Sequence, residues 1–197
     1  VFEGSLDLLQ RRSGRSEDDK IAFARMRRTV EDMEGLIETL LLLARGEEVE
    51  RIHEIRCLND LVPGFVEQLA PMAADRGLDL SIDEQAQLWV KSPSRVIQII
   101  LTNLLRNAIN YTQQGSVVVR IRENTISVID TGIGMSPEEL QHAFEPFYRG
   151  ERSRASSMGH GLGLSIVRRL VHQFDWPIHV QSNVGKGTEV TIEFFEG

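Results

Sequence analysis

The sequence contains almost no cysteine and no long run of apolar residues. Its single cysteine, Cys57, excludes an internal disulfide and fits a reducing compartment. No apolar run approaches the roughly 20 residues that a membrane-spanning helix requires, and no stretch is typical of a signal peptide. We therefore expect a cytoplasmic domain, with any membrane segment upstream of Val1.

Basic residues are too few for a nucleic-acid-binding protein. The chain has 22 Lys and Arg against 29 Asp and Glu, which gives a formal net charge of −7. Duplex binding depends largely on the neutralisation of phosphates by Lys and Arg, so this balance argues against a nucleic-acid partner. The 197 residues, 41% hydrophobic and 26% charged, suffice for one full core and a smaller unit.

Residues 1–45 have the pattern of a helical hairpin. Phe2, Leu6 and Leu9 recur at helical spacing before the turn-forming Ser13-Gly14. The second helix carries apolar residues at alternating gaps of four and three, the spacing of a coiled-coil seam: Met26, Val30, Met33, Ile37, Leu40 and Ala44. We predict that two copies of this hairpin form a four-helix bundle. Packing against the chain's own second domain is the alternative.

Residues 46–56 are predicted to be a linker and a first strand, and residues 57–197 a second domain. An amphipathic helix begins at Asn59, and Ser92-Pro93 supplies an N-cap and a first-turn proline for another. Period-two patterns predict strands at 78–82, 88–90, 117–122, 125–130, 178–181 and 189–195. The predicted fold class is α+β, a two-layer α/β sandwich with helices on one face of a mostly antiparallel sheet.

Two carboxamides lie four residues apart on an otherwise apolar helix. Asn103 and Asn107 share a helix face, and leucine, alanine and isoleucine surround them. Buried amides require hydrogen-bond partners, so we expect this pair to point into a cleft. Taken alone, the pair also fits two core asparagines satisfied within the protein.

The stretch Asp130-Thr-Gly132-Ile-Gly134 follows a predicted strand. The glycines allow the backbone to fold closely around a planar ligand, and the carboxylate can accept a hydrogen bond from an exocyclic amine. Adenine has such an amine where guanine has a carbonyl. An Asp-Gly turn without a ligand is the alternative for this stretch.

A second glycine-rich stretch, Gly159-His160-Gly161-Leu162-Gly163-Leu164, precedes a helix predicted over 165–174. Free amides at a helix N-terminus beside flexible glycines can bind an anion. The dinucleotide fingerprint does not fit, because its third glycine would fall at Leu164. Residues 147–158 have the composition of a mobile lid that includes Arg149, and Phe144 and Phe147 are predicted to anchor its ends to the core.

These stretches, with Phe144-Glu-Pro-Phe147 and Gly185-Lys-Gly187-Thr188, resemble in order the five nucleotide-binding boxes of bacterial two-component sensor histidine kinases. The resemblance is close over residues 50–197 and looser over 1–45, which resemble a truncated dimerisation hairpin. It implies an enzyme that transfers the γ-phosphate of Mg²⁺-ATP to a protein histidine, for relay to an aspartate of a response-regulator receiver domain. It also implies a homodimer whose full-length protein lies in the bacterial inner membrane.

The resemblance also implies which residues bind the nucleotide. The Asn107 carbonyl matches the metal-contacting asparagine, and Asn103 and Tyr111 match supports of the phosphate and sugar. Asn110 stands where many relatives have a basic residue. The implied ATP-binding set is Asn103, Asn107, Asn110, Tyr111, Asp130, Gly132, Gly134, Arg149, Gly159, His160, Gly161, Leu162, Gly163, Leu164 and Thr188.

Two other functions remain as alternatives. ATPases of the gyrase, chaperone and mismatch-repair type carry a glutamate four residues before the metal-binding asparagine, where this chain has Asn103. An amide cannot act as a general base, so transfer to a side chain is favoured over transfer to water. The third hypothesis is a non-catalytic dimeric scaffold with a degenerate nucleotide pocket.

No histidine occurs in residues 1–45, where the resemblance would place the phosphate acceptor. We therefore predict that the acceptor lies upstream of Val1 and that no catalytic residue lies within this sequence. His53-Glu54 matches the start of the acceptor motif, but Cys57-Leu58 stand where Thr-Pro is typical, and we interpret His53 as a coincidence.

The chain as given is accordingly expected to show negligible autophosphorylation. Incubation with γ-labelled ATP followed by acid treatment of the denatured protein measures any phosphohistidine directly. Acid-labile label that disappears in His53→Gln would show that His53 is an acceptor after all.

Overall fold

The computed structural model describes residues 55–150 and 161–195 and the separate positions 19, 26, 30 and 33. Those four positions are helical, and the side chains of Met26 and Met33 are 53% and 56% exposed. The rest of the predicted hairpin, the linker and His53 lie outside the described residues. The division into 1–45, 46–56 and 57–197 therefore stays a prediction.

In the described residues from 55 onward, seven strands and four helices follow one another. The strands are β1 (Ile55–Cys57), β2 (Asp79–Glu84), β3 (Trp89–Lys91), β4 (Ser116–Ile121), β5 (Thr125–Asp130), β6 (Ile178–Asn183) and β7 (Gly187–Glu193). The helices are α1 (Leu58–Ala74), α2 (Ser94–Tyr111), α3 (Pro137–His142) and α4 (Gly163–Gln173). Among the described residues, no helix is long and apolar enough to cross a membrane.

The main sheet has five strands in the order β2-β4-β5-β7-β6. Strands β2 and β4 are parallel, and the other three neighbouring pairs are antiparallel. Strands β1 and β3 form a separate antiparallel pair. The prediction of a mostly antiparallel sheet is confirmed.

Helices α1, α2 and α4 share one hydrophobic core with the sheet. On β4, Val117, Val119 and Ile121 are fully buried while the alternate residues are not, as expected for a strand with one covered face. Nine residues of α2 are buried, which makes it the central helix of the layer. The predicted two-layer α/β sandwich is confirmed.

Both predicted helix starts near the site are wrong by one or two residues. Pro93, not Ser92, is the N-cap of α2, because the Pro93 carbonyl accepts the first helical hydrogen bond, from the Val96 N–H, at 3.0 Å. Ser92 is buried, and its hydroxyl donates to the same carbonyl at 3.2 Å instead of capping the helix. Helix α4 begins at Gly163, two residues before the predicted Ser165.

The end of α1 is fixed by a Schellman motif. The Leu78 N–H donates to the Ala73 carbonyl at 3.0 Å, and the Gly77 N–H donates to the Ala74 carbonyl at 2.9 Å. Gly77 supplies the left-handed backbone that the motif requires, with φ of 65°. The Asp79 N–H then donates to the Gly115 carbonyl at 3.0 Å. As a result, the C-terminal ends of α1 and α2 lie at the same end of the sheet, where β2 and β4 begin.

Truncation of the core face of α2 is expected to destabilise the fold strongly. Leu105 is 0% exposed, so Leu105→Ala should lower the free energy of unfolding by about 2–5 kcal/mol through lost burial and a cavity. Denaturant unfolding followed by circular dichroism measures this change. Ile55→Ala is the control, because Ile55 is 66% exposed and should change stability by at most about 0.5 kcal/mol. Equal losses in the two variants would contradict the assigned core.

Candidate nucleotide-binding site

A cleft of about 810 Å³, counting the space open to solvent, lies between α2, α3 and the ends of β5 and β7. It is lined by Leu104, Asn107, Ala108, Tyr111, Val128, Asp130, Ile133, Gly134, Met135, Glu139, Ala143, Tyr148, Arg149, Gly150, Leu164, Thr188 and Val190. Seven residues singled out from the sequence line it: Asn107, Tyr111, Asp130, Gly134, Arg149, Leu164 and Thr188.

The two asparagines of α2 meet the first turn of α4. A Cβ atom placed on Gly163 would lie 3.1 Å from Asn103 Oδ1 and 3.3 Å from Asn107 Nδ2. The Asn103 Nδ2 donates to the Ile99 carbonyl at 2.8 Å, which turns its Oδ1 toward Gly163. Two amides and a helix N-terminus thus form a polar corner, in which Asn107 lines the cleft while Asn103 and Gly163 do not. A side chain at position 163 would crowd this corner.

Asp130 lies at the end of β5, at the other side of the cleft. Its Oδ1 accepts hydrogen bonds from the Gly132 N–H at 2.8 Å and from the Thr188 N–H at 3.2 Å. No hydrogen bond from the described residues reaches Oδ2. Burial raises the pKa of Asp130, and the two backbone N–H groups oppose that rise by stabilising the carboxylate. One carboxylate oxygen is therefore available to a donor on a ligand.

Glycines bring the β6–β7 turn against Asp130. Gly187 has φ of 94°, and a side chain there would collide with the carbonyl oxygen of Asp130. Gly134 has φ of 62°, and a side chain there would collide with the carbonyl oxygen of Asn183. Close approach of these backbones is what allows the Thr188 N–H to reach the buried carboxylate.

Ser182 joins the same region and was missed by the sequence analysis. Its hydroxyl accepts from the Met135 N–H at 2.8 Å, lies 2.8 Å from Thr188 Oγ1 and lies 3.1 Å from the Gly187 carbonyl. Ser182 is one polar residue on a strand with alternating exposure, so its sequence has no signal of this contact. Its hydrogen bond with Met135 connects the loop after β5 to β6.

Glu139 was also missed, although it lines the cleft. It forms a capping box with Ser136: the Glu139 N–H donates to Ser136 Oγ at 3.2 Å, and the Ser136 N–H donates to Glu139 Oε2 at 2.9 Å. The pattern Ser-Pro-Glu-Glu at 136–139 could have predicted this helix start. The box places a second carboxylate on the cleft wall.

The prediction that the Phe147 side chain anchors the lid to the core is wrong. That side chain is 70% exposed, and its backbone has φ of 64°. The backbone makes the connection instead, because the Phe147 N–H donates to the Gly161 carbonyl at 2.9 Å. Phe144 is half-buried, and Leu162 is in the core. Residues 151–160, with Gly159 and His160, lie outside the described residues.

Asn110 does not line the cleft, unlike its neighbours Asn107 and Tyr111. Its Oδ1 accepts a hydrogen bond from a guanidinium nitrogen of Arg76, 3.3 Å away. Gly132 also stays outside the lining, and a side chain there would collide with the Tyr111 carbonyl.

The described part of the chain contains no cluster of three His, Cys, Asp or Glu that could hold a metal ion. Amide oxygens beside the polar corner fit a hard cation that takes few protein ligands, such as Mg²⁺.

The chain matches a known family and named relatives. Residues 93–196 match the family of histidine kinase-, DNA gyrase B- and HSP90-like ATPases. The sensor histidine kinase RppB of Synechocystis sp. is 35% identical over 167 residues, which are 80% of this chain and 37% of that protein. The sensor protein kinase PmrB of Pseudomonas aeruginosa is 35% identical over 191 residues, 90% of this chain and 39% of that protein.

A solved structure shares the fold. Full-length ShkA in complex with AMPPNP has a TM-score of 0.68 at 23% identity, over 92% of this chain and 40% of that chain. The present chain thus spans less than half the length of these relatives. The matched family, the order of elements and the two relatives lead to one conclusion: the chain belongs to the histidine kinase-, DNA gyrase B- and HSP90-like ATPase family, as the catalytic ATP-binding domain of a sensor histidine kinase.

Proposed function

We propose that this cleft binds Mg²⁺-ATP and that the domain transfers the γ-phosphate to a histidine elsewhere in a longer two-component protein. The observation that carries the proposal is the pairing of a buried carboxylate at one side of the cleft with the amide and helix-terminus corner at the other. These two features are complementary to the two chemically different ends of ATP. The solved complex of ShkA with AMPPNP, which shares the fold, supports the assignment.

The Asp130 side is suited to adenine. Its available Oδ2 can accept from the exocyclic amine, whereas guanine would place a carbonyl oxygen against the same carboxylate. Sites built on such a hydrogen bond discriminate between analogues by about 10⁴-fold or more. Apolar residues beside it, Leu104, Ala108, Val128, Ile133 and Val190, provide a surface for a flat ring.

The polar corner is suited to the phosphates. The Asn107 carbonyl can hold Mg²⁺, and Arg149 lines the cleft as a cation. Bound Mg²⁺ would neutralise charge on the phosphate oxygens. Asn103 cannot activate water, so the corner orients the γ-phosphate for a side-chain nucleophile and favours transfer over hydrolysis. The gyrase type of reaction has no support at this position.

The relatives are sensor kinases, which supports a role for the domain within a larger assembly. In that proposal residues 1–45 pair with a second copy as a four-helix bundle, and the phosphohistidine is relayed to a response-regulator receiver domain. Membrane anchoring belongs to other parts of the longer protein. In this assembly the domain that contains Asn103, Asn107 and Thr188 binds the nucleotide.

Asp130→Asn is expected to weaken ATP binding about 10-fold or more, because a hydrogen bond to a charged group contributes about 1.5–3 kcal/mol. The amide retains Oδ1 for the Gly132 and Thr188 N–H groups. In place of Oδ2 it presents an N–H donor, which cannot accept from the exocyclic amine of adenine. Isothermal titration calorimetry measures the dissociation constant. Asp79→Asn, the same change at an exposed position of β2, should leave it unaltered. Equal affinity in Asp130→Asn and the native chain would remove Asp130 from the site.

The raised pKa of Asp130 also predicts a pH dependence. Its carboxylate is lost as the pH falls through the raised pKa. Adenosine binding should therefore begin to weaken at a pH higher than 3.8, the ordinary pKa of an aspartate. Adenosine is the probe because it has no phosphate to titrate. For the free protein the sign is opposite: the stability linked to protonated Asp130 is present below 3.8 and lost as the pH rises through the raised pKa.

The melting temperature of Asp130→Asn relative to the native chain should therefore increase as the pH rises toward neutrality. Thermal unfolding between acidic and neutral pH measures this difference. A constant difference across that range would show that Asp130 does not titrate with a raised pKa.

A further inference from the structure

The Ser182 hydroxyl uses its full hydrogen-bonding capacity inside the protein. A serine hydroxyl has one proton to donate and two lone pairs with which to accept. Ser182 Oγ lies 2.8 Å from the Met135 nitrogen, 3.1 Å from the Gly187 carbonyl oxygen and 2.8 Å from Thr188 Oγ1. Its three partners thus match the three hydrogen bonds that one hydroxyl can make.

These three contacts can be satisfied together in only one way. The Met135 N–H is a donor, and it occupies one lone pair of Ser182 Oγ. The Gly187 carbonyl is an acceptor, so it takes the single proton of Ser182. Only a lone pair then remains on Ser182, and the Thr188 hydroxyl has to donate its own proton to it. Thr188 Oγ1 is left with two lone pairs and no proton for a further partner.

Thr188 brings those lone pairs to the wall of the cleft, beside Asp130. The two residues lie directly opposite each other on β7 and β5, where Cβ atoms are about 4.5–5.5 Å apart. Among the described residues, Ser182 is the one partner of Thr188 Oγ1, and no hydrogen bond reaches Asp130 Oδ2. This end of the cleft therefore offers a ligand two neighbouring side-chain acceptors.

A primary amine is the group that two neighbouring acceptors fit. Its nitrogen carries two N–H bonds about 120° apart, and hydrogen bonds of about 2.9–3.0 Å along them end at acceptors roughly 5 Å from each other. The exocyclic amine of adenine has this form. Hypoxanthine and guanine have a carbonyl oxygen at the same ring position, and that oxygen would face two acceptors without a donor.

We propose that Ser182 is a positioning residue that sets the base specificity of the cleft. By taking the Thr188 hydroxyl proton, it makes Thr188 Oγ1 a second acceptor, beside Asp130 Oδ2, for the exocyclic amine of adenine. This inference rests on the proposed function, since it deepens the recognition of the base at the same site. Ser182 does not line the cleft and acts only through Thr188.

The competing explanation is that Ser182 only connects the loop after β5 to β6 through Met135. Loss of such a connection would weaken the binding of every nucleotide to the same extent. Loss of the proton acceptor of Thr188 would instead change the choice between bases. The two explanations are therefore separated by a ratio of affinities and not by the affinity for one ligand.

The test compares ADP with inosine diphosphate (IDP), whose base has a carbonyl in place of the amine, in the presence of Mg²⁺. Calorimetry measures ADP binding, and competition with ADP measures the weaker binding of IDP. In Ser182→Ala the Thr188 hydroxyl loses its acceptor and can turn its proton toward the IDP carbonyl. The preference for ADP over IDP should therefore fall about 10-fold, as expected for about one hydrogen bond. Ser182→Thr keeps the hydroxyl and should retain the native preference.

Ser127→Ala is the matched control. Ser127 Oγ lies 2.7 Å from Thr191 Oγ1, so this variant also removes a serine hydroxyl that is paired with a threonine of β7. Neither Ser127 nor Thr191 lines the cleft. The preference for ADP over IDP should stay at its native value in this variant, whatever the change in its melting temperature.

Thr188→Val gives an independent measurement, because it removes the second acceptor itself. It should weaken ADP binding about 3–10-fold and leave IDP binding unchanged. An unchanged or larger ADP preference in Ser182→Ala would overturn the inference and leave the proposed function standing. If Ser182→Ala does not fold, Thr188→Val decides, and equal weakening of ADP and IDP would overturn the inference. Failure of the native chain to bind ADP would overturn both the inference and the proposed function.

Discussion

Burial of one negative charge is the constraint on which the architecture of this domain depends. Asp130 ends a central strand inside the protein, where an ionised carboxylate is unfavourable unless hydrogen bonds compensate it. Compensation comes from two backbone N–H groups, one two residues later and one 58 residues later in the chain. Strand β7 must therefore pair with β5 in one register, and its first residue, Gly187, must lack a side chain because it packs against the Asp130 backbone. The compensation stops at one oxygen, and the other is left for a ligand.

Much of this could be predicted from the sequence because its signals are local. Period-two alternation predicted the strands, and the spacing of Asn103 and Asn107 predicted a polar face on an apolar helix. The contribution of Ser182 could not be predicted in the same way. Its partner depends on the tertiary fold, because Met135 and Ser182 are 47 residues apart in the chain.

The two sides of the cleft differ in how they are built. The Asp130 side consists of backbone groups and glycines in fixed register, so few substitutions are compatible with it. At the other side, Asn103 and Asn107 are side chains on one helix, and the hydrogen bond of Asn103 stays within that helix. In the proposed function, recognition of the base is thus tied to the register of the sheet, whereas contacts to the phosphates come from side chains outside it.

The hydrogen bond from the Phe147 N–H to the Gly161 carbonyl has a consequence for how this domain can change over evolutionary time. It holds both ends of the intervening segment at one point of the framework. The entropy of joining the ends of a loop increases only slowly with length, by about 0.6 kcal/mol for each doubling. Residues can therefore be gained or lost between positions 147 and 161 at little thermodynamic cost, while Asp130, Asn107 and the cleft walls keep their positions. Length variation in this segment is thermodynamically separate from the stability of the nucleotide-binding framework.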